Sequence, residues 1–139
     1  MRVLLYTDAS TQKNYSCWAY KSSLSKEVSY GIVTTTHISA IEVMAIIKGL
    51  ESIPWEHEVM VITDLKSAAT IINSYNKFRK HKSYTKDTLY AKMCNKLCEI
   101  IRNREVIAMW VPSRCVNPTH LEVDNISRVK LYEFLNKGK

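Results

Sequence analysis

The chain has 139 residues, 46% apolar and 24% charged, which fits one domain over residues 1–139 and excludes a disordered or collagen-like chain. Its 20 Lys and Arg against 13 Asp and Glu leave a net charge of +7, and that basic excess points to a polyanionic partner such as nucleic acid. No apolar run is long enough to span a bilayer, and Met1-Arg2 leads into a β-rich stretch without a signal-peptide core, so a soluble, cytoplasmic monomer with no membrane role is expected.

Residues 2–7 read as a first strand that breaks off at Asp8 in "VLLYTDAS". "YSCWAYKSS" and "EVSYGIVTTT" read as two more strands, opening the fold as an antiparallel meander. "ISAIEVMAIIKGLESI" has strong helix formers and apolar residues nearly all round, which predicts a largely buried helix ending between Gly49 and Pro54. "HEVMVIT" is a short buried strand ending at Asp64, and "DLKSAATIINSY" a helix that Asp64 could cap. The basic connection "NKFRKHKSYTK" leads to a helix over "DTLYAKMCNKLCEIIRNR" and a buried strand "EVIAMWV". Thr119 and Glu122 have the spacing of a capping box, so a last helix is expected from Thr119 to about Leu135. This order of strands and helices is that of a mixed α/β fold.

Several features narrow the chemistry. Three glycines, Gly31, Gly49 and Gly138, cannot build a glycine-rich phosphate cradle. Cys17, Cys94, Cys98 and Cys115 lack zinc-ribbon or redox spacing, and Cys94 and Cys98 read as small hydrophobes on one helix face. Trp18, Trp55 and Trp110 read as core residues. The segment 75–86 interleaves Tyr75, Phe78 and Tyr84 with Lys77, Arg79, Lys80, Lys82 and Lys86, a pattern suited to sequence-independent phosphate contact or to a solvated loop.

Four carboxylates stand where local structure does not demand them: Asp8, Glu42, Asp64 and Asp124. Each has a plainer reading, as a turn residue, a partner of Lys48, a helix cap and an early-helix acid respectively. Taken together, they could be a cluster whose mutual repulsion is relieved by divalent cations with oxygen ligands, Mg²⁺ above all. Two such ions about 3.5–4 Å apart can activate water and stabilise the leaving oxygen of a phosphodiester.

In order and spacing, "YTDAS", "ISAIEVMAIIKGLE", "VITD" and "WVPSR...HLEVDNISR" closely resemble the four motifs of type 1 ribonuclease H, over nearly the whole chain. The resemblance implies an RNase H-like α/β fold, a five-stranded mixed sheet in the order 3-2-1-4-5 flanked by helices. It also implies two-metal hydrolysis of the RNA strand of RNA–DNA hybrids, with two Mg²⁺ ions for which Mn²⁺ can substitute. Position by position, Asp8 matches the aspartate that bridges both metals, and Glu42 the glutamate that binds one metal near the ribose 2′-OH. Asp64 matches the aspartate near the attacking water, and Asp124 the ligand of the second metal. Ser10, Ser39, Lys77, Arg79, Lys80, Lys82 and Arg114 are the expected substrate contacts.

Departures accompany the match. Ala9 replaces the family's usual Gly and Ser39 its usual Asn. Arg114 stands where many members carry a loop histidine, and His120, where Asn is common, reads as a helix-start residue. The alternatives are a non-catalytic hybrid- or double-stranded-RNA-binding module of the same fold, and another nuclease of the superfamily.

Overall fold

A computed structural model describes residues 2–80, 83–112 and 117–137. Strand β1 (Arg2–Gln12) runs past the expected break, with Asp8 inside it and paired to Ala19 of β2 (Tyr15–Ser22). A polar residue did not end the strand because the antiparallel partner continues: the two form a hairpin as far as Gln12↔Tyr15, with Lys13 in the left-handed region at φ 57°. Strand β3 (Ser29–Val33) is shorter than the expected segment and pairs with β2. Strands β4 (Glu58–Thr63) and β5 (Val106–Trp110) add parallel on the other side of β1, giving one five-stranded sheet in the order β3-β2-β1-β4-β5. With its flanking helices this is the α/β, RNase H-like arrangement implied by the sequence.

Side-chain alternation along β1 and β2 assigns the two faces of the sheet. Leu5 of β1 lies against Gly49 of α1 (Ile38–Ser52), so closely that a Cβ at Gly49 would come within 2.6 Å of Leu5 Cδ1. Trp18 of β2 packs over Gly31, and the Lys48 ammonium of α1 lies 5.8 Å from its ring. On the opposite face, Ser10 donates to the Ser127 carbonyl of α4 (Pro118–Leu135) at 2.9 Å, and Lys21 pairs with Glu122 at 2.8 Å. Asp8 shares the α4 face with Ser10. The core lies between the sheet and the helices α1, α2 (Lys66–Phe78) and α3 (Leu89–Arg102), around Val3, Leu5, Ile46, Leu50, Val61, Ile72 and Leu97.

Edge strand β5 is covered by α2, where Asn73 exchanges two hydrogen bonds with the backbone of Ala108 and Asn76 donates to the Val106 carbonyl. Paired in this way, the edge cannot template another strand. Arg104 is buried after α3 and donates to the carbonyls of Leu50, Ile53, Pro54 and His57, so one guanidinium satisfies carbonyls at the C-terminal end of α1 and in its connection to β4. Trp55 is not core: it is 57% exposed and covers that guanidinium at 5.1 Å. Trp110 is 48% exposed, and Trp18 is half-buried. Cys94 and Cys98 are buried free thiols on one face of α3.

Two expected caps are corrected. Asn117 caps α4, accepting from the Thr119 and His120 amides, and Pro118 takes the first helical position, where its missing N–H costs nothing. The Thr119–Glu122 box is therefore not formed, and Glu122 faces Lys21 instead. Helix α2 begins at Lys66 after Leu65, without a side-chain cap; Thr63 Oγ1 accepts the Leu65 N–H, and Asp64 caps nothing. No helix among the described residues is long and apolar enough to cross a membrane.

Candidate active site

The parallel register between β1 and β4 runs from Arg2↔Glu58 to Tyr6↔Ile62. Two residues further along each chain stand Asp8 and Asp64, beyond the point where β4 leaves the ladder. Here β1 gains a free flank while still paired to β2, which leaves room for a carboxylate between the diverging chains. Trp110 at the end of β5 donates its indole N–H to the Asp64 carbonyl at 3.1 Å and so helps to fix the end of β4.

Asp8 is 4% exposed, and its Oδ1 accepts the Ala9 N–H at 2.8 Å. Its carboxyl is pushed up from 3.8 to about 8, by burial first, then by the charge of Asp64, and further by contact with Asp124; the Ala9 bond pulls the other way. Glu42, in the second turn of α1, is pushed up from 4.5 to about 10 by burial, then by the charge and contact of Asp64, then of Asp8. Asp124, in the second turn of α4, pairs with Arg128 at 2.9 Å. These couplings bring all four sequence-predicted carboxylates, from β1, α1, the end of β4 and α4, into one cluster.

His120, expected to be a helix-start residue, is part of the same place. It is 1% exposed, and one of its ring nitrogens and one carboxylate oxygen each of Asp8 and Asp64 lie within 4.8 Å of one another. Asp64 Oδ1 and His120 Nε2 are both buried without a hydrogen-bond partner. The spacing contained a signal for this: His120 precedes Asp124 by four residues, so both fall on one face of a helix. Its neighbours on that face, Val123, Ser127 and Leu131, are buried as well. Arg128 was also missed, although i,i+4 spacing from Asp124 marks it.

The substrate candidates are spread more widely. Ser10 commits its hydroxyl proton to Ser127, and Ser39 is exposed in the first turn of α1. Lys77 lies in the last turn of α2 rather than in a loop, and Arg79 caps that helix at φ 55°, 6.0 Å over the Tyr75 ring. Lys80 is exposed beside a hollow of about 570 Å³ that it lines with Lys66, Tyr84 and Tyr90. A second hollow of about 420 Å³ is flanked by Lys66, Lys77, Phe78 and Trp110, and the two exposed aromatic faces there lie under ammonium groups. Neither hollow contains a carboxylate of the cluster. Lys82 and Arg114 lie outside the described residues.

A carboxylate cluster in which Asp8 and Glu42 have raised proton affinity, with two orphaned polar atoms beside them, suits a divalent cation, which would replace the missing partners and offset the repulsion. The family model described as RNase H matches residues 1–128. Ribonuclease H of Campylobacter curvus (strain 525.92) is 26% identical over 145 aligned residues, spanning 98% of this chain and 97% of that protein. Ribonuclease H of Campylobacter concisus (strain 13826) is 26% identical over 142, spanning 99% and 97%.

Proposed function

The chain belongs to the RNase H family, and on that footing we propose that it is an endoribonuclease that cuts the RNA strand of RNA–DNA hybrids with two divalent cations, leaving 5′-phosphate and 3′-hydroxyl ends. The observation that carries this reading is the convergence of Asp8, Glu42, Asp64 and Asp124 from four separate elements onto one place, Asp8 buried and the other three half-buried, where Asp64 Oδ1 and the neighbouring His120 Nε2 have no hydrogen-bond partner.

Asp8 and Asp64 would hold the ions from the sheet, Glu42 and Asp124 from the helices on either face. The ions, when bound, would neutralise the scissile phosphate and lower the pKa of water. Trp110 holds the Asp64 backbone, and the Ala9 amide orients the Asp8 carboxylate, so both side chains are positioned before substrate arrives. Arg128 holds one Asp124 oxygen at 2.9 Å while the Asp124 carboxylate contacts Asp8, so the ion pair would steady this ligand at the edge of the cluster. Hybrid is distinguished from DNA by the ribose 2′-OH, which Glu42 would approach. Ser10, its own proton already donated, would offer only an acceptor to the minor groove, while exposed Ser39 can donate or accept. Lys77, Arg79, Lys80 and Lys82 would grip phosphates without reading sequence.

Incubation with end-labelled RNA–DNA, RNA–RNA and DNA–DNA duplexes, with and without Mg²⁺ or Mn²⁺, tests the proposal. Cuts confined to the RNA of the hybrid, and only with an added ion, are expected. Equal cutting of DNA–DNA, or binding of hybrid without cleavage in either metal, would favour another nuclease or a binding module.

A further inference from the structure

Oxygen ligands from four carboxylates are what a Mg²⁺ site asks for, yet a buried imidazole stands among them. His120 is 1% exposed, its Nε2 is unpartnered, and a ring nitrogen lies within 4.8 Å of carboxylate oxygens of both Asp8 and Asp64. An imidazole nitrogen buried without a partner loses its hydration with nothing to replace it, and the orphaned Asp64 Oδ1 beside it adds a similar penalty. One cation within reach of these groups would relieve both. Helix α4 is well built to hold the ring there: Asn117 accepts the His120 amide at 3.1 Å, and Val123 and Ser127 are fully buried on the same face.

We propose that His120 is a nitrogen ligand of the ion held by Asp8 and Asp64, which makes this site selective for Mn²⁺ over Mg²⁺. The inference rests on the metal-cradle reading above and deepens it. Mg²⁺ demands near-ideal octahedral oxygen coordination and keeps much of its water, whereas Mn²⁺, which shares its liking for carboxylates, is a first-row transition ion, the weakest binder of that series, and still accepts a nitrogen donor. A nitrogen donor in an otherwise carboxylate set therefore gives Mn²⁺ a contact that Mg²⁺ uses poorly. A purely structural His120 would need a hydrogen bond in its buried position, and its Nε2 has none.

The test uses the full chain with Mn²⁺ alone, in the absence of nucleic acid. Pulsed electron paramagnetic resonance of bound Mn²⁺ should show modulation from one directly coordinated imidazole ¹⁴N, which changes frequency when the protein carries ¹⁵N-histidine and disappears in His120→Asn. Calorimetric titration should show the Mn²⁺/Mg²⁺ affinity ratio falling by about tenfold or more in His120→Asn, at the lower end of what lost support costs a metal site. The labelled wild-type spectrum stands even if the variant fails to fold. Mn²⁺ bound to wild type without nitrogen modulation, or with modulation that survives in a folded His120→Asn, would overturn the assignment while leaving the carboxylate site intact. Failure of wild type to bind either ion would overturn the metal reading as well.

Discussion

Replacing Asp8 by Asn should abolish cleavage and at the same time make the metal-free protein more stable. Asp8 is 4% exposed, and its carboxyl is pushed up to about 8 by burial and by the neighbouring Asp64 and Asp124. A carboxyl whose folded value is raised contributes its stability below the unfolded value and loses it as pH rises through the folded value. At pH 8, level with the folded value and roughly four units above the value of about 3.9 in the unfolded chain, each unit costs about 1.4 kcal/mol, a ceiling of about 5 kcal/mol. Relaxation and water entry reduce this to about 1–3 kcal/mol. Asparagine removes the charge and keeps an oxygen for the Ala9 N–H, now 2.8 Å away. At about 4 °C per kcal/mol for a domain of this size, the variant should melt about 4–12 °C higher than wild type in EDTA at pH 8. The gap should narrow toward pH 5, and saturating Mn²⁺ should raise the wild type while moving the variant less. Thermal melts followed by circular dichroism read all three. A variant that melts at or below the wild type in EDTA at pH 8, or a gap that does not shrink on acidification, would refute the electrostatic account of the cluster.

Substituting Lys77, Arg79, Lys80 and Lys82 with Ala should weaken hybrid binding and reduce the slope of log K against log salt by about 2–4, with little change in the single-turnover rate at saturation; an unaltered slope in a salt titration would mean that the segment does not touch phosphate. Arg104→Leu should cost about 2–4 kcal/mol in urea unfolding, because it leaves the carbonyls of Leu50, Ile53, Pro54 and His57 without their donor, yet the folded variant should still cleave; a loss below about 0.5 kcal/mol would remove Arg104 from its proposed place in the α1–β4 connection.

Some of this was legible in the residues. The four carboxylates could be picked out because each breaks a local pattern, and their order matched one family's motifs. Strand order was not readable from periodicity and came only with that resemblance. Asp8 was misjudged as a strand end because a buried carboxylate inside a strand is unfavourable unless something compensates it, and the compensation is tertiary. The Ser/Thr-x-x-Glu pattern at Thr119 misdirected the start of α4 and hid His120, since Asn117-Pro118 makes a better start one residue earlier. Trp55 and Trp110 were expected in the core, but one shelters the Arg104 guanidinium and the other ties down the Asp64 backbone, contacts made between residues about 50 apart in sequence. The basic segment lost its first residues to α2, which continues to Phe78 because Lys77 in the last turn complements the helix dipole and Arg79 accepts the left-handed cap.

The central claim is metal-dependent cleavage by the carboxylate cluster, and the most direct measurement is the single-turnover rate of wild type and Asp64→Asn on a hybrid labelled at the RNA 5′ end, in Mn²⁺, in Mg²⁺ and in EDTA. Wild type should cut internally in the presence of an ion and not in EDTA, and Asp64→Asn should bind the hybrid but cut at least about a hundredfold more slowly, the scale of losing one preorganised electrostatic group. Cleavage by wild type in EDTA, or an Asp64→Asn rate within a few fold of wild type, would contradict it.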